Sequence, residues 1–352
     1  WADEYRLNHL IFNYPKPVVS FLQGFTMGGG VGIGCHGSHR IVGDTSQIAM
    51  PECGIGLVPD VGGSLMLALA PGRLGEYLGT TGARMGAADA IYAGFADTYI
   101  TEDKWPSLIE ALEMDGDVSA LTTAAQTPPK GDLETQQVQI DALFSGEALG
   151  DILTDLRNDG GSFAAETLKK MGRASPLSMA CAVEIIHRLR GPSLTMEKAL
   201  DLEYRFTFRA TEHGDFIEGI RAAIIDKDRN PKWQFADMKV PPAAVSKMLR
   251  PLGQDALNLE ETAMTSQKSG QKTSLTIGFI GLGNMGAPMA ANLAKAGHKV
   301  RGYDVAGTTA EGVEVAPDIA GAAKGADVVI TMLPNGSILR QVAVQALGHM
   351  TK

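Results

Sequence analysis

The sequence predicts an α/β protein built from two modules, and three observations carry this prediction. Short apolar runs separated by glycine-rich turns fill residues 17–100, as expected for strands and the turns that follow them. From Glu102 onward the apolar residues recur at helical spacing, with breaks at Pro128–Pro129 and Gly160–Gly161. A second pattern of strand, glycine turn, helix and strand begins at Leu275.

Residues 259–274 are predicted to be a linker between the two modules. This stretch is polar, rich in small residues and without periodic hydrophobic residues, and it contains Met264. We therefore expect one domain over residues 1–258 and another over residues 275–352. The length of 352 residues agrees with two domains, at about 150 residues per domain.

Charge and composition exclude several classes of function. The chain has 31 basic and 40 acidic side chains, a formal net charge of −9, which makes it a poor partner for nucleic acid or anionic lipid. No apolar run approaches the ~20 residues that span a bilayer. Three cysteines indicate a reducing compartment, and we expect a cytoplasmic protein of bacterial type. No metal site is predicted, because the candidate ligands fit no known ligand spacing: Cys35, His36, His39 and Cys53.

Glycines crowd the turn over residues 24–37. They would cost a helix ~4–5 kcal/mol against alanine, and they stand at positions 28, 29, 30, 32 and 34. Either amide groups at a helix N-terminus face a ligand oxygen there, or the turn is tight and packs closely. The match to a dinucleotide fingerprint at Gly32-x-Gly34-x-x-Gly37 is rejected, because Asp44 follows Gly32 by 12 residues instead of about 20.

Several stretches of the first module resemble one family. They are Thr26–Gly32 (TMGGGVG), Met50–Gly63 (MPECGIGLVPDVGG), Leu202–Arg205, Gly214–Ala222 and Asp226–Trp233. Together they make residues 1–258 similar to the 3-hydroxyisobutyryl-CoA hydrolases of the crotonase (enoyl-CoA hydratase/isomerase) superfamily. The resemblance implies a crotonase-like spiral fold with a helical C-terminal part. It also implies hydrolysis of the thioester of 3-hydroxyisobutyryl-CoA, a step of valine degradation, without a cofactor.

The resemblance assigns four site residues. Gly29 supplies an amide to the carbonyl oxygen, which becomes negative as a thioester is hydrolysed. Glu52 is the nucleophile or the general base toward water, and Asp60 assists or orients. Glu4 aligns with an acid suited to hold a β-hydroxyl of the substrate. Taken without the family, Glu52 and Asp60 are better explained as solvated loop acids, and only the whole motif favours a catalytic role.

One departure favours hydrolysis over hydration. A hydratase would carry a second glutamate two residues after the Gly-Gly-Gly run, where this chain has Gly32. Hydratase or isomerase activity stays an alternative, and so does a non-catalytic CoA- or NAD-binding relic. We also expect the chain to be a fragment, because the family's N-terminal strands, with a second oxyanion amide, would precede Trp1.

The second module contains a complete dinucleotide fingerprint. A strand over Leu275–Ile280 leads into Gly281-Leu-Gly-Asn-Met-Gly286, a helix and a second strand that ends at Asp304. Asp304 follows Gly281 by 23 residues, as expected for an acid that binds the ribose 2′-hydroxyl. With no arginine directly after Asp304, NAD is preferred to NADP.

This module resembles the β-hydroxyacid dehydrogenases, the family of 3-hydroxyisobutyrate dehydrogenase. The resemblance is carried by residues 281–290 and by Thr331–Pro334, and it implies a partial Rossmann βαβ domain. It assigns cofactor contacts to Gly281, Gly283, Asn284, Met285, Gly286, Asp304, Leu333 and Pro334. The family's substrate motif and catalytic lysine would lie beyond Lys352, so we expect a fusion or read-through of two neighbouring genes that act in consecutive steps.

Overall fold

A computed structural model describes residues 1–191, 194–260, 274–333 and 336–349. These residues fall into two compact units, Trp1–Thr262 and Ala263–Lys352. Most of the predicted linker, including Met264, lies outside the described residues, as does Pro334. The domain boundaries predicted above therefore stay a prediction.

The first unit begins with helix α1 and continues as short strands joined by tight turns. Their bounds are α1 (Ala2–Phe12), β1 (Val19–Leu22), β2 (Phe25–Met27), α2 (Gly29–Gly34), β3 (His39–Val42), β4 (Gln47–Ala49) and β5 (Thr98–Tyr99). Strands β1, β3 and β5 form one parallel sheet, and β2 pairs with β4 in a second parallel pair. The predicted glycine-rich turn therefore does follow a strand and does open a helix.

Helices build the remainder of this unit. They are α3 (Gly63–Leu69), α4 (Leu74–Thr81), α5 (Ala87–Tyr92), α6 (Trp105–Asp115), α7 (Ser119–Ala124), α8 (Leu133–Leu143), α9 (Leu149–Asp159), α10 (Ser162–Met171), α11 (Pro176–Leu189), α12 (Met196–His213), α13 (Phe216–Ile220) and α14 (Pro242–Leu249). The predicted breaks are present: residues 127–131 form no helix, and Gly160, with φ of 66°, ends α9. Glycine is favoured at such a left-handed C-terminal position.

The core of the first unit forms around α11. This helix contacts α3, α4, α12 and α14, and its apolar residues are buried on nearly every side, as expected for a central helix. Leu67 of α3, Leu78 of α4 and Phe206 of α12 join the same buried cluster as Ile186 of α11. This core fixes α3 and α12, the two helices that flank the candidate site described below.

The second unit is a small parallel α/β sheet. Its elements are β6 (Thr276–Ile280), α15 (Gly286–Lys295), β7 (Lys299–Tyr303), β8 (Glu314–Val315), α16 (Ile319–Ala323), β9 (Val328–Thr331) and α17 (Gly336–Leu347). The strands lie in the order β8-β7-β6-β9, all parallel, so β6 is central. The strand, glycine turn, helix and strand predicted from Leu275 are all present.

Within the described residues, every helix is too short or too polar to cross a membrane.

Gly32 joins α2 closely to α1. A Cβ atom at Gly32 would lie 2.7 Å from Asn8 Nδ2 and 2.7 Å from Val61 Cβ, so a side chain there forces its neighbours apart. Gly30, in the same helix, is exposed, and a Cβ atom there would meet only Thr26 Cγ2, at an ordinary 3.7 Å.

We expect Gly32→Ala to lower the free energy of unfolding by ~1–3 kcal/mol, the usual effect of overpacking. Gly30→Ala serves as the matched control and should raise stability by up to about 1 kcal/mol through helix propensity. Urea denaturation of both variants measures the difference. Equal stability of the two variants would contradict the close contact of α1 with α2.

Candidate functional site

The candidate site lies where α1 meets the N-terminus of α2. Gly28 has φ of 54° and precedes α2, so the chain turns sharply after β2. Such backbone angles favour glycine. As the first residue of α2, Gly29 carries an amide that a helix leaves without an acceptor of its own. The sharp turn thus presents the first backbone N–H groups of α2, which have no acceptor within the helix.

Two predicted carboxylates flank this turn. A Cβ atom at Gly28 would lie 3.3 Å from Glu52 Oε1, and one at Gly29 would lie 3.1 Å from Glu4 Oε1. Glu4 is an exposed residue in the first turn of α1, whereas Glu52 is 5 % exposed. The structure therefore brings Glu4, Gly29 and Glu52 together, although they are far apart in the sequence.

Glu52 opens a short 3-10 turn, Glu52–Ile55, after β4. Among the described residues its buried Oε2 atom has no hydrogen-bond partner. Burial, followed by the negative charge of Asp60, raises the pKa of Glu52 well above its usual value. A raised pKa makes the ionised carboxylate a stronger base than an ordinary glutamate.

Asp60 lies in the loop that leads into α3 and is 5 % exposed. The hydroxyl of Tyr5, on α1, donates a hydrogen bond of 2.8 Å to Asp60 Oδ2. Burial raises the pKa of Asp60 to about 7, while the bond from Tyr5 opposes that shift. Sequence reasoning missed Tyr5, because nothing in the local sequence of α1 marks it as a partner of Asp60.

Glu203, on α12, is a third buried carboxylate, and sequence reasoning missed it too. It is fully buried and accepts hydrogen bonds from the amides of Gly62 (2.9 Å) and Ser64 (3.1 Å) and from the hydroxyl of Ser64. Burial raises its pKa to about 8. It stands in the Leu202–Arg205 stretch used for the resemblance, but nothing local marks it as part of a site.

Asn8, one turn after Glu4 on α1, is another buried polar residue beside the turn before α2. It is fully buried, and among the described residues neither amide atom of its side chain has a hydrogen-bond partner. It contacts α2 where Gly32 leaves room for it. The Asn8 and Val61 side chains therefore enclose position 32, where a hydratase would carry its second glutamate.

The glycine turn of the second unit has the geometry of a dinucleotide site. A Cβ atom at Gly281 would overlap the Met332 carbonyl oxygen, and one at Gly286 would overlap the Gly281 carbonyl oxygen. At Gly283, by contrast, a Cβ atom would meet nothing within 4 Å. Gly281 and Gly286 thus hold the turn together, and Gly283 leaves bare backbone open to a ligand.

Asp304 lies directly after β7 and beside this turn. Its Oδ2 atom accepts a 2.7 Å hydrogen bond from the Leu282 amide, and its Oδ1 atom accepts one of 2.8 Å from the Ala306 amide. Leu333 is half-buried near Gly281. Two further predicted contacts, Asn284 and Met285, are exposed in the turn. Asp304 is therefore oriented by backbone amides at the end of the second strand.

The described residues contain no group of three or more His, Cys, Asp or Glu side chains that could hold a metal ion. Cys35, Cys53 and Cys181 are buried free thiols. Burial raises the pKa of Cys35 to about 12, so this thiol stays protonated at neutral pH.

Comparisons with known proteins agree with this organisation. Residues 1–249 match the sequence model of the enoyl-CoA hydratase/isomerase family. Residues 276–352 match the model described as the NAD binding domain of 6-phosphogluconate dehydrogenase. The second unit thus carries an NAD-binding domain sequence on a parallel sheet, as the fingerprint predicts.

Curated relatives include the mitochondrial 3-hydroxyisobutyryl-CoA hydrolases of mouse (Mus musculus) and human (Homo sapiens). The mouse protein is 37% identical over 250 residues and the human protein 36% identical over 250 residues. Each alignment covers 68% of this chain and 64% of the relative, so the chain spans just under two thirds of the length of these relatives.

Two solved structures resemble the chain in both sequence and fold. An enoyl-CoA hydratase from Rhodobacter sphaeroides is 56% identical, with a TM-score of 0.70 over 73% of this chain and 75% of that one. A carnitinyl-CoA dehydratase from Mycobacterium thermoresistibile is 41% identical, with a TM-score of 0.69 over 74% and 75%. The predicted α/β class with a crotonase-like first module is confirmed, and the chain belongs to the enoyl-CoA hydratase/isomerase family.

Proposed function

We propose that the first unit hydrolyses the thioester of a β-hydroxyacyl-CoA, with 3-hydroxyisobutyryl-CoA as its substrate. The observation that carries this proposal is the buried Glu52, which has one oxygen beside the Gly28–Gly29 turn and the other without a partner among the described residues. The curated relatives that bear the name of this hydrolase give the acyl group. The place of the reaction in valine degradation, which the family resemblance implies, belongs to the proposal.

Glu52 and Gly29 have separate roles in the first step of the reaction. Water, deprotonated by Glu52, or the Glu52 carboxylate itself attacks the carbonyl carbon, and the π electrons move to the carbonyl oxygen. The Gly29 amide stabilises that negative oxygen, an effect worth ~2.7–4 kcal/mol per donor in such sites. When the intermediate collapses, the C–S bond breaks and CoA leaves as a thiolate that takes up a proton. If Glu52 is the nucleophile, this collapse leaves an acyl anhydride on Glu52, and water then hydrolyses it and restores the carboxylate. Both forms of attack therefore consume one water overall and release the acid and free CoA.

Asp60 and Glu4 have supporting roles in this proposal. The pKa of Asp60, about 7, lets it exchange a proton near neutral pH, and Tyr5 fixes its orientation. Glu4 is exposed next to the Gly29 position and has free acceptor capacity for the β-hydroxyl of a substrate. No residue in this scheme needs a cofactor.

Hydration is the second candidate function, because the two similar solved structures are of an enoyl-CoA hydratase and a carnitinyl-CoA dehydratase. Adding water across a C=C bond needs a second acid or base at the substrate carbons. Gly32, where such a glutamate would stand, is enclosed by Asn8 and Val61. Hydrolysis therefore remains the better-supported proposal.

We expect Glu52→Gln to lower the kcat for free CoA release from 3-hydroxyisobutyryl-CoA by at least ~100-fold, since the variant loses its base or nucleophile. Thiol detection with the 352-residue chain measures this rate. Glu110→Gln, an exposed glutamate on α6, is the matched control and should leave the rate unchanged. Release that is independent of Glu52 would refute the proposal.

The pH dependence of kcat/KM tests the same carboxylate. Activity needs ionised Glu52, so it should fall as the pH drops through the pKa of Glu52, which lies well above its usual value. Asp60→Asn removes a negative charge and should move this acid limb to lower pH. Asp103→Asn, an exposed control, should not move it. An acid limb near the usual pKa of a glutamate would argue against a buried base.

We further propose that the second unit binds NAD in preference to NADP. Gly281, Gly283 and Gly286 would hold the pyrophosphate at the N-terminus of α15, with Asn284, Met285, Leu333 and Pro334 as the remaining predicted contacts. Asp304 would accept from the ribose 2′-hydroxyl and repel a 2′-phosphate. Bound NAD would bring a hydride acceptor to this unit.

We expect Gly283→Ala to weaken NAD binding by at least about tenfold, because its methyl group fills the space where the pyrophosphate approaches. Isothermal titration calorimetry on the full chain, with NADP as the comparison, measures both affinity and preference. Gly348→Ala introduces the same methyl group into open space elsewhere in this unit and should bind NAD like the unchanged chain. Equal affinities for both variants would overturn the assignment.

A further inference from the structure

Helix α1, all of which the structure describes, has two buried residues, Tyr5 and Asn8. Other side chains of the helix, such as Leu7 and Leu10, are exposed. Neither amide atom of the Asn8 side chain has a hydrogen-bond partner among the described residues. Tyr5 therefore supplies the buried hydrogen bond that joins the middle of α1 to the rest of the first unit.

The Tyr5 side chain is held at its ring and at its hydroxyl. The ring packs edge-on against that of Tyr204 on α12, with the ring centroids 6.1 Å apart. The hydroxyl donates its proton to Asp60 Oδ2 over 2.8 Å. Burial raises the pKa of Tyr5 well above its usual value, and the negative charge of Asp60 raises it further. Tyr5 therefore keeps its proton and acts as a hydrogen-bond donor, not as an acid or a base.

This bond joins α1 to the loop before α3. Within the part of the chain that the structure describes, Tyr5 is the one side chain that forms a hydrogen bond with the Asp60 carboxyl group. A carboxyl oxygen accepts from a hydroxyl whether or not the group is ionised, so the bond does not depend on the charge of Asp60. The loop itself is held at Val61, whose carbonyl oxygen lies 2.7 Å from His36 Nε2. The loop is thus a fixed support for α1.

Weaker contacts hold the surface and the ends of α1. Water competes for both partners of an exposed polar pair, so such pairs add little to stability. The ring contacts near the two ends of the helix have no directional hydrogen bond. The Tyr5 bond is therefore the buried, directional contact of this helix. The weaker contacts are those of Arg6 with the Asn258 carbonyl oxygen, His9 with Glu197, Trp1 with Phe216 and Phe12 with His36.

Glu4 directly precedes Tyr5 on α1. Its side chain is exposed, and its Oε1 atom lies 3.1 Å from the position of a Cβ atom at Gly29. Among the described residues no side chain forms a hydrogen bond or an ion pair with the Glu4 carboxylate, so the helix that carries Glu4 sets its place. The distance of Glu4 from Gly29 thus depends on how α1 is held, and so on Tyr5.

We propose that Tyr5 is a positioning residue for substrate selection. Its bond to Asp60 holds α1, and with it Glu4, at a distance from Gly29 that suits an acyl group with a β-hydroxyl. This inference rests on the function proposed above, in which Glu4 binds that hydroxyl and Gly29 the carbonyl oxygen. Tyr5 touches no reacting atom. A tyrosine that only stabilised the fold would support the binding of acyl groups with and without the hydroxyl alike.

Binding without turnover tests this inference. Every full-length chain carries Glu52→Gln, which stops hydrolysis, and calorimetry compares 3-hydroxyisobutyryl-CoA with isobutyryl-CoA, which lacks the hydroxyl. The Glu52→Gln chain should bind the hydroxylated ligand at least about tenfold more tightly, since the hydroxyl donates to a charged acceptor. Adding Tyr5→Phe keeps the ring and removes the donor. It should reduce the preference to within about twofold, by weakening the binding of the hydroxylated ligand alone.

Two control chains separate positioning from stability. Tyr99 donates a 2.5 Å hydrogen bond to Asp44 Oδ1 elsewhere in this unit. Tyr99→Phe therefore removes the same kind of bond and should leave the preference for the hydroxyl unchanged. Replacing Tyr5 with 4-aminophenylalanine keeps a donor at the same place and should preserve the preference that Tyr5→Phe removes.

A further pair of variants serves if Tyr5→Phe alone does not fold. Asp60→Asn keeps an amide oxygen that accepts from Tyr5, so it should keep the preference. The double variant Tyr5→Phe, Asp60→Asn buries no carboxyl group that has lost its donor, and it should lose the preference. Equal preferences in these two chains would overturn the inference.

Each remaining outcome decides between the two proposals. A preference that survives Tyr5→Phe, an equal loss in Tyr99→Phe, or no preference for the hydroxyl in the first place contradicts the role of Tyr5. In that case CoA release that depends on Glu52 would still support hydrolysis. If the unchanged chain releases no CoA but binds with a preference that depends on Tyr5, then hydrolysis fails and the positioning role stands.

Discussion

The burial of three carboxyl groups in one place is the constraint on which the rest of the first unit depends. Glu52, Asp60 and Glu203 are each nearly or fully buried, and ionising any of them is costly unless hydrogen bonds compensate. Hydroxyls and backbone amides supply that compensation for Asp60 and Glu203. Such donors have fixed directions, so the surrounding helices must keep their positions. The large core around α11 meets this requirement.

The two side chains that hold this loop come from opposite ends of the sequence of the unit. Tyr5 lies on the first helix and Glu203 on α12, about two hundred residues later, yet both act on the short loop before α3. Bringing residues so far apart in sequence into contact has a cost in conformational entropy, and only the cooperative packing of the unit offsets it. The site therefore depends on the complete tertiary structure of this unit and not on a local motif.

The sequence predicts the local features well and the long-range ones poorly. The glycine turn before α2, the breaks in the helical part and the strand that ends at Asp304 all follow from local backbone chemistry, and all are present. Glu4, Gly29 and Glu52 meet as the family resemblance implies. Tyr5, Asn8 and Glu203 could not be found this way. A polar side chain on a helix is expected to be solvent-exposed until its distant partners are known.

The contact of Gly32 with Asn8 and Val61 limits how this protein could change its chemistry. A glutamate introduced at position 32 would collide with the side chain of Asn8 on α1. It would also collide with Val61, which follows Asp60 and has a positive φ. Such a side chain would fit only if Asn8 and Val61, each 2.7 Å from the Cβ position, moved or were replaced. Under the proposed hydrolysis, the steric fit around position 32 keeps a second carboxylate out of the site, and with it the acid or base that adding water to a double bond would need.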